Sequence, residues 1–200
     1  MILTELLYKL QSCRSVKLDA TPAGQPVYEK FGFRDEYTID RMTNPKVHTA
    51  KRRDGKGSVE PAGHADLNRI IALDSEIFGA ERSLLLKSLI REFPYKAWMV
   101  KEKGDIAGFS LGRQGTRFHH IGPVFARSAE IAGMIVESAV SELQDKAVVV
   151  DVLSDKTKII SFLLESGFSR QRHFVRMFQE KNPFPGKPEN QYLICGPEFG

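Results

Sequence analysis

The sequence predicts an α/β fold built on a mixed sheet. The stretch KAVVVDVLSDKTKIISFLLESGFSRQRHFVRM, residues 146–177, reads as an apolar strand, a short helix and a second strand. The same plan occurs earlier, in SVKLDATPAGQPVYEKFGFRDEYTIDRM, residues 15–42: Gly32, Phe33, Arg41 and Met42 match Gly167, Phe168, Arg176 and Met177 at one constant spacing. Asp19 matches Asp151 once a small length difference before the helix is allowed, which points to an internal duplication. Between the two units, helical and strand periodicities alternate, as a sheet layered with helices requires.

Taken in order, Leu3, Leu6, Leu7 and Leu10 stand at helical spacing, so residues 2–10 open the chain as an amphipathic helix. A strand is expected at 16–20, a helix at 22–30 with Pro22 in its first turn, and a strand at 33–43. Residues 46–57 read as a linker. A short strand near 58–61 follows, then a helix capped by Asp66 that carries Leu67, Ile70, Ile71, Leu73 and Ile77, with Gly79 as its stop. Residues 81–93 form a second helix, stopped by Pro94. Residues 97–101 and 106–112 make a hairpin across Lys103-Gly104-Asp105, and 118–126 a third strand. Ser128 caps a helix over 129–143. In the second unit, 147–153 is β-branched except for Asp151, the mark of a strand buried on both faces. Asp155 is expected to cap the next helix and Gly167 to end it. The following strand places Arg170, Arg172, Phe174 and Arg176 on one face, and 192–195 is the last strand.

Composition narrows the class. Two hundred residues with 42% hydrophobic content suffice for one sizeable core, or a domain plus a fragment. No apolar run approaches a membrane span and the N-terminus lacks a signal-peptide layout, so no membrane partner and a cytoplasmic setting are expected. Cys13 and Cys195 have no metal-type spacing, and no metal is expected. The net charge of +4 is local: Lys46, Lys51, Arg52, Arg53 and Lys56 against Asp54 account for all of it. Basic residues confined to one Gly- and Pro-containing connector read as a solvated linker, and a nucleic-acid partner is not expected.

The segment LDATPAGQPVYEKFGF resembles the closing part of GNAT-type N-acetyltransferases. The second unit, with LDSEIFGAERSLL, AGFSLGRQG, HIGPVFA, the Gly-Phe…Arg-Met strand and the ending CGPEFG, is similar to the divergent C-terminal domain of a two-domain GNAT group. The resemblance implies a GNAT acyl-CoA N-acyltransferase fold. It divides the chain into a partial unit at 1–43, a linker at 44–57 and a complete unit at 58–200. It also implies acetyl-CoA as co-substrate and a small-molecule or peptide amine as acceptor. The opening helix then corresponds to the one that binds the coenzyme's pyrophosphate, but the glycine-rich turn that should precede it is absent from this sequence.

Several residues are candidates for chemistry. Proline cannot complete a central ladder, so Gly122-Pro123 must bulge its strand or part it from a neighbour. By the resemblance, Gly122, Pro123, Val124, Phe125 and Ala126 would line the splay that holds pantetheine, and Arg127 and Ser128 would meet the pyrophosphate at a helix N-terminus. Glu130 stands in that first turn, where it repels an anion. Tyr28 matches the family's tyrosine acid, and the second unit has Leu163 at that position. Asp151, in an apolar strand beside the splay, is either a general base or an acceptor for local hydrogen bonds. Arg82, Arg113, Arg172 and Arg176 match family arginines and are candidates for a substrate anion; solvated arginines give the same pattern. His119 and His120 point to opposite faces and cannot chelate one ion. Asp74, Glu76 and Glu81 are open to an amine or simply solvated. The runner-up function is a non-catalytic, anion-binding regulatory module. The strand edge of residues 1–43 is expected to pair with the same segment of a second chain, giving a homodimer.

Overall fold

The computed structural model describes residues 2–48 and 59–199. Lys51, Arg52, Arg53, Asp54 and Lys56 of the basic connector lie outside the described residues. The elements in order are α1 (Ile2–Lys9), β1 (Lys17–Ala20), α2 (Gln25–Glu29), β2 (Phe33–Asn44), β3 (Val59–Pro61), α3 (Leu67–Phe78), α4 (Ser83–Glu92), β4 (Trp98–Glu102), β5 (Asp105–Gln114), β6 (His119–Ala126), α5 (Ala129–Ser141), β7 (Val148–Leu153), α6 (Thr157–Glu165), β8 (Ser169–Gln179) and β9 (Gln191–Leu193).

Local signals explain most boundaries. Ser128 Oγ accepts from the Ile131 N–H at 3.3 Å, capping α5. Gly79 ends α3 in the left-handed conformation. Three expectations are corrected. Pro26, not Pro22, sits in the first turn of α2. Asp66 does not cap α3; its Oδ2 accepts from the Gly63 N–H at 3.2 Å, one turn earlier. Asp155 does not cap α6 either, because its carboxylate is held by Lys156 at 2.8 Å.

The strands form one nine-stranded sheet in the order β1-β8-β2-β7-β9-β6-β5-β4-β3, antiparallel except where β6 and β7 meet in parallel. On one face α3 and α4 bury Ile70, Ile77, Leu86 and Ile90 against Phe109, Leu111 and Phe125. On the other, α5 and α6 bury Ile135, Val136, Ile160 and Leu163 against Val148, Val150 and Val152. A smaller cluster joins Leu7, Tyr28 and Phe31 to Ala20, Phe33, Val175 and Met177.

The N-terminal segment is woven into this sheet. β2 lies between β7 and β8, with Arg41 opposite Asp151 and Ile39 opposite Phe174. β8 in turn pairs with β1, where Arg176 stands opposite Asp19. Each strand-helix-strand segment therefore keeps its own Asp-bearing strand and gives its Arg-bearing strand to the other. The edge expected to seek a second chain is not on β2, both of whose edges are paired within the chain. Among the described residues of this segment the free edge is that of β1, which is outermost on one side of the sheet, as β3 is on the other.

Candidate active site

Two buried ion pairs mark the crossed strands. The Arg41 fork donates to both Asp151 oxygens, Nε to Oδ1 at 2.7 Å and Nη2 to Oδ2 at 2.8 Å. His120 Nε2 adds a third contact, 3.1 Å from Oδ2. Asp151 is fully buried. Burial pushes its carboxyl up, but the hydrogen bonds from Arg41 and His120 outweigh that and hold it below the usual carboxylate range. Both oxygens of this carboxylate are thus engaged. The matching pair is Arg176 with Asp19, Nε to Oδ1 and Nη2 to Oδ2, the latter at 3.0 Å.

β6 and β7 pair only from His119–Ile121 against Val148–Val150, and then diverge. Gly122 and Pro123 stand where the divergence begins, as the missing N–H of proline requires. β9 lies in the opening. Leu193 pairs with Val124 on one side and Val152 on the other, and Gln191 pairs with Phe125. The Ile194 N–H donates to the Asp151 carbonyl at 2.9 Å, and Asn190 Nδ2 donates to the Ala126 carbonyl at 2.9 Å. Gly122 has φ +148, and a Cβ there would collide with the Ile194 carbonyl oxygen, so the residue just after β9 dictates glycine at this point. The cause lies across β7. With β2 on its outer edge, β7 can pair with a C-terminal strand only on the side facing β6.

The remaining candidates are dispersed. Tyr28, on α2, packs edge-on to Phe33 with ring centroids 6.0 Å apart, in a cluster that does not include Asp151. Leu163 is fully buried under the sheet. Arg127 is exposed, and Glu130, two residues after the Ser128 cap, is exposed as well. Arg82 forks onto Asp74, with both contacts at 2.8 Å, and stacks on Phe78 at 3.8 Å. Arg113 pairs with Glu198 and stacks on Phe199. Arg172 is exposed and stacks on Phe174. Glu76 pairs with Lys187 at 2.5 Å. Glu81 accepts from the Ser83 N–H at 2.9 Å. His119 and His120 do face opposite ways: Lys96 Nζ lies 2.8 Å from His119 Nδ1, while His120 turns to Asp151.

Lys96 was not visible as a special residue in the sequence. It is buried, and burial lowers its pKa to about 8. Among the described residues no cluster of His, Cys, Asp or Glu could hold a metal ion, and no helix is long and apolar enough to cross a membrane.

Comparison with known proteins follows the same outline. A family model for an acetyltransferase (GNAT) domain matches residues 70–193. The chain is 27% identical over 169 residues to the uncharacterized N-acetyltransferase YitH of Bacillus subtilis (strain 168), covering 84% of this chain and 58% of that protein. It is 24% identical over 188 residues to the holothin acyltransferase of Pseudoalteromonas sp. (strain SANK 73390), covering 94% of this chain and 63% of that protein. The chain thus spans about three fifths of the length of these curated relatives. Among solved structures, a Pyrococcus horikoshii protein assigned as an acetyltransferase superposes with a TM-score of 0.75 at 22% identity, over 100% of this chain and 65% of the other. A GCN5-related N-acetyltransferase from Sphaerobacter thermophilus gives 0.56 at 17% identity, over 82% of this chain and 59% of the other.

Proposed function

The chain belongs to the acetyltransferase (GNAT) domain family, and from that membership we propose that it serves acyl-CoA-dependent acetylation of an amine with the donor held outside the β6–β7 opening. The observation that carries this reading is β9. A pantetheine arm entering between β6 and β7 needs backbone groups that Leu193 and Ile194 already pair, so the residues there do not fit the coenzyme. Gly122, Pro123, Val124, Phe125 and Ala126 are, in this reading, the socket for the chain's own C-terminal strand. Glu130 in the first turn of α5 opposes an anion in the same place.

Residues 1–43 supply the alternative. The exchange of strands and the paired Asp–Arg bridges support reading them as the rear of a first GNAT unit that shares its sheet with the second. β1 then corresponds to β7, and its free edge to the edge of β7 that β9 covers. Tyr28 belongs to this first unit, whereas the second has the inert Leu163. Asp151, locked by Arg41 and His120, is in this reading a positioning residue that fixes β2 on β7. The 59–199 unit contributes the scaffold and the recognition of the acceptor, which retains the non-catalytic character of the runner-up reading for that unit alone.

Calorimetry of the whole chain with acetyl-CoA tests the proposal. Binding no tighter than about 1 mM, roughly −4 kcal/mol, is expected, unchanged by Pro123→Tyr and weakened by changes on β1, because the opening is filled and β1 offers a single strand edge. Micromolar binding that is abolished by Pro123→Tyr and unaffected by changes on β1 would sink it.

A further inference from the structure

A small cavity of about 120 Å³ lies between the end of α5 and the strands β4, β5 and β6. That is the room of about four water molecules, enough for a body of a few heavy atoms. Much of its wall is apolar: Trp98 from β4, Gly112 from β5, Ala139 from α5 and Leu143 from the turn after it. Lys96, just before β4, lies in the same wall and is 5% exposed. Its stem crosses β5 at Gly112, where a Cβ would stand 3.2 Å from Lys96 Cβ and 3.3 Å from its Cδ. From there the side chain runs along the cavity to Tyr95, another wall residue, whose ring centre lies 5.4 Å from Nζ.

The ammonium donates to His119 Nδ1 at 2.8 Å, and that is its one hydrogen bond among the described residues. An ammonium has three N–H groups and accepts none, so its donor capacity exceeds what the protein meets. Burial lowers its pKa to about 8 with no acid acting against it, so the group still carries its charge at neutral pH. Glu142, the acid of the wall, is exposed and makes no ion pair with Lys96 among the described residues. A buried charge without a counter-ion is costly, and an anion that reaches it relieves the cost. The rest of the wall restricts the kind of anion. One cation beside apolar surface matches one carboxylate on a short alkyl group. Phosphate would set its second charge against Trp98 and Leu143, with Glu142 nearby, and gain nothing for it.

We propose that this cavity binds a short-chain monocarboxylate of the acetate to butyrate size, its oxygens accepting from Lys96 Nζ and its alkyl group lying against Trp98 and Leu143. Trp98 is the one tryptophan of the chain, so its fluorescence reads the cavity directly. The full chain is titrated at neutral pH and constant ionic strength with propionate, n-propylammonium, phosphate and chloride, and binding is read by Trp98 fluorescence and by calorimetry. Propionate is expected to saturate with a dissociation constant on the order of 1 mM, the weak affinity of a ligand with few atoms. The other three probes are expected to bind at least tenfold more weakly. Lys96→Met keeps the length of the side chain and removes the charge; it should melt cooperatively and weaken propionate at least tenfold. Glu142→Gln, which removes a negative charge from the rim, should strengthen it. Unchanged propionate affinity in Lys96→Met would overturn the proposal. So would phosphate, chloride or propylammonium binding as tightly as propionate, or no saturable propionate binding by either readout.

Discussion

Among single residues, Lys96 shows how much a fold can impose on a group that looks ordinary in sequence. Its side chain enters the wall beside Gly112, and its ammonium meets no carboxylate among the described residues: it lies 5.4 Å from the centre of the Tyr95 ring and against the His119 imidazole, whose own pKa is lowered first by burial and then by this same lysine. A lysine whose folded pKa is about 8 against an ordinary value of 10.5 binds fewer protons folded than unfolded between those limits. Stability should therefore rise with pH through that window, and the penalty should be fully present below pH 8. Denaturant melts from pH 7 to 10.5 check this: the rise is expected in the parent and absent in Lys96→Met. A parent curve that falls across the same window would be the contrary result. Asp151 gives the same slope, a stability that rises with pH, but as a gain rather than a relieved penalty. Its folded carboxyl is depressed, so its contribution is present above the ordinary carboxylate range and is lost as pH falls through the folded value.

At the scale of elements, most of the chain was legible. Amphipathic spacing placed α1 and α3, the Pro94 stop placed α4 and the Ser128 cap α5, and the β-branched run of β7 announced a strand buried on both faces, as it is. Neighbours were not legible. An alternating strand such as β2 states which face is apolar but not which strand lies beside it, and its partners β7 and β8 are far away in sequence. A usable signal was present nonetheless. Asp19 and Asp151 each interrupt an apolar strand, and Arg41 and Arg176 stand at matching places in the strands that follow, so two buried acids and two arginines awaited pairing. The candidate site was legible only as residue types: three of the four expected arginines, Arg82, Arg113 and Arg176, are held by carboxylates, while the buried Lys96 carried no mark in sequence. The weaving of β2 also sets its removal apart from trimming a loose arm. Deleting residues 1–44 strips β7 and β8 of a neighbour and leaves the buried Asp151 without Arg41, a loss on the order of 3–5 kcal/mol for the pair alone. The remainder is expected to lose its cooperative melt in circular dichroism. A soluble 45–200 fragment with a sharp transition would show that β7 and β8 close on each other unaided.

For the whole molecule, the crossed strands tie function to architecture. Because β2 occupies one edge of β7, the C-terminal strand takes the other, and the opening that Gly122 and Pro123 create is filled from within. The same C-terminal stretch then runs on to Glu198 and Phe199, which wall a cavity of about 300 Å³ together with Tyr37, Phe78 and Phe184. One arrangement thus closes one opening and shapes a cavity beside it. The most direct measurement is hydrogen exchange at the Ile194 amide, whose bond to the Asp151 carbonyl lies in the filled opening. With acetyl-CoA at saturating or the highest soluble concentration, Ile194 and Leu193 should stay as protected as in its absence. Loss of protection at these two amides, with the rest of the sheet unchanged, would mean that the coenzyme displaces β9 and that the opening is a donor site after all.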